Sequence, residues 1–387
     1  MSPTSLLFAA ALLGSVIGRG SVMQVEQESL PFLTNGSTGV TFTSPAGHLK
    51  HIQTRRLESP DSTPFSFTSI LVNRAGSELL AVSPITASAI ESSAFVTLGL
   101  QPTIFDRYNI SQATVDPMLD ADGQPIFLED ALSVAVNGRY CGRGRGDLTV
   151  AYARESIFIE VLRFRRGVKS ASTIQDVPLA LFDFCGESTS LPLAALSYLN
   201  RLRGFRDDLL ALCSGGFRNF SKPRGLLYAA GVFNVRDGIR RFFVESTGGY
   251  QPSAVAQLRN GDIMIAFVQD GDVEVEGQGL RIGYVTADEL IEAQNTDGVI
   301  VVTFLLSAAQ LKFLSLWRDI RFINATVKRA FAAFGSRFNI AVQSGLAVRE
   351  DINERIFVYS MSDDFLEPFQ TLLTTFEWKP KRRRHRR

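Results

Sequence analysis

The sequence predicts an α+β protein built mostly from antiparallel sheet, with two prominent helices and a disordered basic C-terminal tail. Short apolar runs typical of strands recur along most of the chain. Two segments, 191–213 and 307–334, space their apolar residues by three and four, as a helix does. The strands come in runs with helices inserted between them, not in regular β-α-β alternation, and this order indicates α+β.

The strand candidates are short and rich in apolar residues. The clearest is 148–164, where both faces are apolar, so we expect it to be central in a sheet. A hairpin is predicted with its turn at Asp270-Gly271, a favoured pair for a two-residue turn. The remaining candidates are 40–43, 66–72, 79–82, 95–98, 240–245, 263–268, 273–275, 282–285, 299–306 and 356–359.

Both helix predictions include start and stop signals. The segment 191–213 has Pro192 in its first turn and is followed by Ser-Gly-Gly. The segment 307–334 begins with a capping-box pattern at Ser307 and ends before Gly335.

Length and composition indicate a folded protein with a large core. The 387 residues are 45% hydrophobic and include 29 Phe, which excludes a disordered chain. The predicted organisation is a signal peptide (1–20), a β-rich N-terminal region (21–167), an α+β C-terminal region (168–378) and the basic tail (379–387).

The N-terminal leader predicts the location of the protein. Residues 5–18 are apolar and uncharged, but too few to span a bilayer. The run is typical of a secretory signal peptide cleaved before Ser21, which predicts a secreted, extracellular protein. The alternative is that the run belongs to the core, in an intracellular or virion protein. No other segment suits a transmembrane span.

Secretion would expose sequons to glycosylation. We predict Asn35, Asn109 and Asn219 as acceptors, whereas Asn324 falls within a predicted helix.

The cysteines allow at most one intramolecular bridge. Of the three, Cys185 and Cys213 are the closer pair and would leave Cys141 as a thiol. Three buried thiols are the alternative.

The net charge of +1 conceals an asymmetry. Seven basic residues and no acid occupy the tail, so the rest of the chain has 33 basic and 39 acidic side chains. Such a tail attracts polyanions by counterion release, and its partners would be nucleic acid, an anionic glycan or an acidic surface. A solvated terminus with no binding role is the alternative. The basic residues are Lys379, Lys381, Arg382, Arg383, Arg384, Arg386 and Arg387.

Catalytic candidates are limited to carboxylates. Glu160 shares a strand face with Phe residues, and Glu245 closes an apolar strand. Two carboxylates about 5 to 9 Å apart could hydrolyse a glycosidic bond. The alternative is that nearby arginines satisfy both. No metal site is predicted, because His48 and His51 lack a third ligand.

One short stretch resembles a known family. Residues 251–262, with the strand that follows them, resemble a blade of a sialidase propeller, although no Asp-box motif accompanies them. The α+β prediction does not depend on this resemblance.

Taken together, these features favour a secreted, glycosylated, non-catalytic binding or structural protein whose tail contacts polyanions. Two other classes stay open. One is a secreted carboxylate-dependent hydrolase of glycan-type substrates. The other is a viral coat or nucleic-acid-associated assembly subunit whose tail faces nucleic acid. No cofactor is predicted, and the sequence does not set the oligomeric state.

Overall fold

The structure is a computed structural model that describes residues 20–381 with gaps. The gaps are 34, 61–66, 84–92, 127–129, 155–157, 175–192, 203, 206, 220–224, 235–237, 248–249, 270–279, 297–298, 302, 305–342 and 363–370. Strands dominate the described residues, whose helical content is one α-helix and one 3-10 turn, Ile104–Asp106.

The elements follow in chain order. The first twelve strands are β1 (Ser21–Met23), β2 (Glu26–Leu30), β3 (Thr41–Ser44), β4 (Gly47–Glu58), β5 (Ser69–Val72), β6 (Glu78–Ser83), β7 (Ala94–Pro102), β8 (Tyr108–Pro117), β9 (Asp130–Gly142), β10 (Arg145–Arg154), β11 (Phe158–Phe164) and β12 (Thr173–Ile174). The remaining elements are β13 (Leu193–Tyr198), β14 (Leu209–Asn219), β15 (Gly225–Asn234), β16 (Gly238–Thr247), β17 (Tyr250–Gln257), β18 (Ile263–Gln269), β19 (Leu280–Val285), α1 (Ala287–Thr296), β20 (Val299–Val301), β21 (Thr303–Phe304), β22 (Gln343–Glu350), β23 (Ile356–Ser362) and β24 (Thr371–Pro380).

These strands form five sheets arranged as the blades of a β-propeller. The strand orders are β1-β8-β7-β6-β5, β12-β11-β10-β9, β13-β14-β15-β16-β20, β17-β18-β19-β21 and β2-β4-β24-β23-β22, which we number blades 1 to 5. One edge strand of each blade contacts the corresponding strands of both neighbouring blades, in the closed order β5, β9, β13, β17, β22 and back to β5. These five innermost strands therefore surround a central channel.

Blade 5 closes the ring by joining the two ends of the chain. Strand β4 pairs with β24 in antiparallel register from Gly47–Pro380 to Leu57–Thr371, and β3 pairs with β4. The blade thus takes strands from both regions into which the sequence was divided.

The apolar core lies between the blades. Five buried clusters fill the five gaps between neighbouring blades. Adjacent residues of one strand enter different clusters: Leu79 packs between blades 5 and 1, and Leu80 between blades 1 and 2. Because both faces of a blade are buried, its strands are apolar on both faces.

The predicted α+β class is wrong, since the described chain is almost entirely sheet. Residues 191–213 do not form a helix: their described part forms β13, a loop and the start of β14. Leu199 and Leu202 match the helical spacing because they anchor that loop in the core between blades 3 and 4. The helix predicted at 307–334 lies outside the described residues.

Several strand predictions fall on observed strands. Residues 79–82, 95–98, 240–245 and 356–359 lie within β6, β7, β16 and β23. The segment 148–164 is not one strand, because β10 and β11 pair antiparallel with each other. The predicted turn at Asp270-Gly271 lies outside the described residues. Among the described helices, none has the length and apolar character needed to cross a membrane.

Candidate functional site

The five innermost strands enclose a cavity of about 170 Å³ in the channel. Apolar side chains form much of its wall, for example Val136, Leu196 and Val255. Each innermost strand has a sheet neighbour on one side only. Its other edge therefore presents backbone N–H and C=O groups towards the channel.

Every blade contributes one arginine to the lining of this cavity, either near the C-terminal end of its innermost strand or in the turn that follows. The five residues are Arg74, Arg139, Arg201, Arg259 and Arg349. Three of them, Arg74, Arg139 and Arg259, are exposed, so this end of the cavity reaches solvent. We call it the channel mouth.

Packing and one hydrogen bond hold the backbone of Arg201 in the loop after β13. Leu199, Leu202 and Phe205 are buried and anchor the loop between blades 3 and 4. The backbone N–H of Arg201 donates a 3.0 Å hydrogen bond to Oε1 of Gln257 in blade 4. At Gly261, φ is +93°, and a Cβ there would lie 2.8 Å from a methyl carbon of Leu202. The turn after β17 thus packs closely against the Arg201 loop.

Two of the five arginines already have partners. Arg259 lies 3.7 Å from Glu350 (Nε to Oε2), and its backbone N–H also donates to that carboxylate. Arg349 stacks its guanidinium 4.5 Å from the ring centroid of Phe357 and donates to the carbonyl of Ala75 at 3.5 Å. Arg349 therefore has a structural role between blades 5 and 1.

The other three guanidinium groups, those of Arg74, Arg139 and Arg201, form no ion pair or hydrogen bond with any residue that the structure describes. Burial lowers the pKa of Arg201, and the positive charges of Arg139, Arg259 and Arg74 lower it further, against a smaller opposing effect of Glu350. The arginines are therefore near enough to repel one another.

Nearby acids do not cancel this charge. Glu350 is the one carboxylate among the described residues lining the cavity, and it is paired with Arg259. A side pocket next to Arg139 and Arg201 contains Asp147 and Asp207. Asp147 is bound to Arg163 by two hydrogen bonds, which leaves exposed Asp207 as the remaining negative group of that pocket.

The predicted catalytic pair lies away from the channel. Glu160 is half-buried in β11 of blade 2, opposite Tyr152, and Glu245 is buried in β16 of blade 3, opposite Leu227. Neither lines the cavity. The structure thus places the two carboxylates in different blades, and their role in hydrolysis stays a prediction.

The predicted glycosylation sites differ in their surroundings. Asn35 is exposed in a turn, where its side chain accepts the N–H of Ser37. Asn109 is half-buried, and Oδ1 of its amide accepts a 2.6 Å hydrogen bond from Arg55. Asn219 is the last residue of β14 and pairs with Gly225.

The cysteines are also in different states. Cys213 is buried and disulfide-bonded, and Cys141 is an exposed free thiol. Cys185 lies outside the described residues, so the Cys185–Cys213 pairing stays a prediction.

The two histidines outside the tail, His48 and His51, do not share a ligand site. On β4, His48 is exposed and contacts Thr43, whereas His51 is buried and contacts Thr38 and Thr54. No group of three metal-binding side chains occurs within the described part of the chain.

The described part of the tail lies at the same end as the channel mouth. Trp378 of β24 pairs with Ile356, which follows the turn after β22, so the chain leaves the fold at that end. Lys379 and Lys381 are exposed there, and Lys379 lies 3.4 Å from Glu377. Residues 382–387, the remainder of the basic run, lie outside the described residues.

Sequence reasoning missed the mouth arginines, although a signal for them exists. An Asn accompanies the Arg in four blades: Asn73-Arg74, Asn137-Gly138-Arg139, Asn200-Arg201 and Arg259-Asn260. The first four arginines recur at intervals of 65, 62 and 58 residues, which is a repeat with the length of a propeller blade.

Comparison with known proteins gives little beyond this geometry. No protein-family model and no curated protein sequence matches the chain. Two solved structures of glucose dehydrogenases are similar to it at 12% sequence identity. The match to one has a TM-score of 0.33 and covers 92% of this chain and 98% of the glucose dehydrogenase chain. The other has a TM-score of 0.30 and covers 91% and 99%. At these values the likeness supports no inference about activity.

Proposed function

We propose that this chain is a non-catalytic binding protein that holds a small anion at the mouth of its propeller channel. The observation that carries the proposal is the group of three arginines, Arg74, Arg139 and Arg201. They line one cavity and have no acidic partner among the described residues. Arg259 adds a fourth positive charge beside them.

The chemistry of the mouth suits an oxyanion. A guanidinium is planar and can donate two parallel hydrogen bonds to a carboxylate, phosphate or sulfate. An anion would also offset the positive charges of the neighbouring arginines, which add to the effect of burial in lowering the pKa of Arg201. The side-chain amides of Asn137 and Asn200 lie in the adjoining pocket, where they could donate further hydrogen bonds.

Thermal unfolding of the full chain tests this proposal. We expect phosphate, sulfate or citrate to raise the melting temperature relative to chloride at the same ionic strength, because a ligand that binds only the folded state stabilises it. Arg139→Gln and Arg201→Gln should abolish the rise. Arg166→Gln, at an exposed arginine of the turn after β11, should retain it and is the matched control.

Two results would contradict the proposal. One is a melting temperature that responds to these anions no more than to chloride. The other is an equal response in all three variants, which would mean that the anions act on the surface at large.

We also propose that the protein is secreted and glycosylated, and that its tail contacts polyanions. The support is the leader sequence, the exposed turn position of Asn35 and the exposure of Lys379 and Lys381. Intact-mass analysis of natural material tests the first part: a mass that starts at Met1 without glycan would refute it. For the tail, unchanged retention on heparin after deletion of 379–387 would refute the proposal that it contacts polyanions.

A further inference from the structure

Two loops meet beside the channel mouth. One is the turn between β7 and β8, residues 103–107, and the other is the turn between β22 and β23, residues 351–355. Nη1 of Arg355 lies 2.7 Å from Oδ2 of Asp106, and Nε of Arg355 lies 2.8 Å from Oδ2 of Asp351. The guanidinium of Arg355 therefore ties the two loops together.

These loops present apolar side chains to solvent. Ile104 is 72% exposed, Phe105 80% and Ile352 89%. Among the described residues, two other large apolar side chains are exposed to this degree, Val22 in β1 and Ile174 in β12. The concentration of the other three on one pair of linked loops marks the place as an interaction surface.

The backbone of the first loop holds Phe105 outwards under strain. Phe105 and Asp106 both have positive φ, 57° and 62°, a conformation that is unfavourable for residues with a Cβ. Hydrogen bonds from Thr103 N–H to the Arg107 carbonyl and from Arg107 N–H to the Ile104 carbonyl close the turn. A loop that keeps an aromatic ring in solvent at this cost is a candidate for function.

Positive charge adjoins the same surface. Arg107 is exposed in the first loop. Trp378 pairs with Ile356, the residue that follows the second loop, so the cationic tail begins at the same end of blade 5 as that loop. The loops also carry acids: Asp106 and Asp351 are both paired with Arg355, and Glu354 is exposed. The excess positive charge of this surface therefore comes from the tail.

We propose that these two loops and the basic tail form a docking surface for a membrane that contains anionic lipid. Ile104, Phe105 and Ile352 enter the interface between head groups and acyl chains, while the tail binds the anionic head groups. Stable attachment to a membrane usually needs two such signals, an apolar one and a polybasic one. A dissolved polyanion would bind the tail but offer nothing to three exposed apolar side chains, so the lipid surface fits better.

Vesicle flotation of the full chain tests the proposal. We expect binding to vesicles of phosphatidylcholine mixed with phosphatidylserine and little binding to phosphatidylcholine alone. The double variant Ile104→Ser with Phe105→Ser should weaken partitioning at least about tenfold, since burying these two side chains contributes more than that factor. Deleting 382–387 should remove the dependence on phosphatidylserine.

A matched control separates insertion from general surface effects. Ile174→Ser removes an equally exposed isoleucine from β12 and should bind vesicles as the wild type does. The anion-dependent rise in melting temperature should persist in the double variant, which shows that it is folded and that the channel site is independent of docking.

Three outcomes would overturn the proposal. The wild type fails to float with mixed vesicles, the double variant floats as well as the wild type, or Ile174→Ser loses as much binding as the double variant. Binding to heparin without binding to vesicles would identify the partner as a polyanion instead.

Discussion

Acidification should destabilise the protein through His51. This histidine is buried in β4, with its ring stacked 4.4 Å from that of Phe32. Its Nδ1 lies 2.8 Å from the carbonyl of Thr38, and its Nε2 lies 3.0 Å from the hydroxyl of Thr54. Burial lowers the pKa of His51 from 6.5 to about 4, against smaller opposing effects of backbone hydrogen bonds.

The size of the effect follows from the two pKa values. The unfolded chain takes up a proton at His51 below pH 6.5, whereas the folded chain does so only below about pH 4. Between these values the unfolded state binds more protons, so the free energy of unfolding falls as the pH falls. The loss from this residue is about 2 kcal/mol at pH 5 and approaches about 3 kcal/mol near pH 4.

Urea unfolding at pH 7, 6, 5 and 4.5, roughly the range of the titration, measures this loss for the wild type and for His51→Gln. Glutamine keeps a donor and an acceptor but does not titrate. The variant should be less stable at pH 7, since the ring contact with Phe32 is lost, but its stability should fall less on acidification. Other titrating groups are common to both proteins and cancel in the comparison. Equal pH dependence in both would refute the assignment of a neutral, buried imidazole to position 51.

Three further predictions concern the channel and the core. Arg201→Gln should raise the melting temperature of the anion-free protein, because it removes a charge that burial and neighbouring arginines disfavour; an unchanged or lower value by calorimetry would contradict this. Gly261→Ala should destabilise the protein by about 1 to 3 kcal/mol, since alanine is strained at φ +93° and its Cβ would crowd Leu202; urea unfolding measures it. Phe267→Ala removes a fully buried ring between blades 3 and 4 and should lower the free energy of unfolding by about 3 to 5 kcal/mol. A decrease below about 1 kcal/mol would mean that the ring is not packed as described.

The sequence could predict where many strands lie, because their apolar runs are strong local signals. It could not predict how the strands assemble. In a sheet with one wet face, apolar and polar residues alternate, but a propeller blade is buried on both faces. Leu79 and Leu80 are adjacent and both fully buried, in different gaps between blades. Nothing in a single strand distinguishes this arrangement from a central strand of an α+β sheet.

The helix predicted at 191–213 failed for a related reason. Leu196, Leu199 and Leu202 have helical spacing, but Leu196 lies in β13 and packs between blades 2 and 3, while the other two lie in a loop between blades 3 and 4. Apolar residues three apart can thus serve two different clusters. Spacing alone does not distinguish this case from one face of a helix.

The mouth arginines were beyond prediction from single segments, because none of them stands in a distinctive local motif. Arg74, Arg201 and Arg259 lie in turns, and Arg139 and Arg349 lie in strands. They form a site only because closure of the propeller ring brings residues about 60 positions apart in the sequence to one cavity. Only the recurrence of Asn with Arg at that interval could have indicated them.

The same closure supports an anion as the ligand that we propose for this mouth. A surface arginine usually avoids its neighbours by moving into solvent, which costs little. The backbone bearing Arg201 cannot move away, because Leu202 and Phe205 anchor its loop in a core cluster and its N–H is bound to Gln257. Arg259 is likewise held at its backbone by Glu350. A negative charge bound between the arginines would offset their repulsion, and because these two backbone segments are already held, little of their ordering would accompany binding.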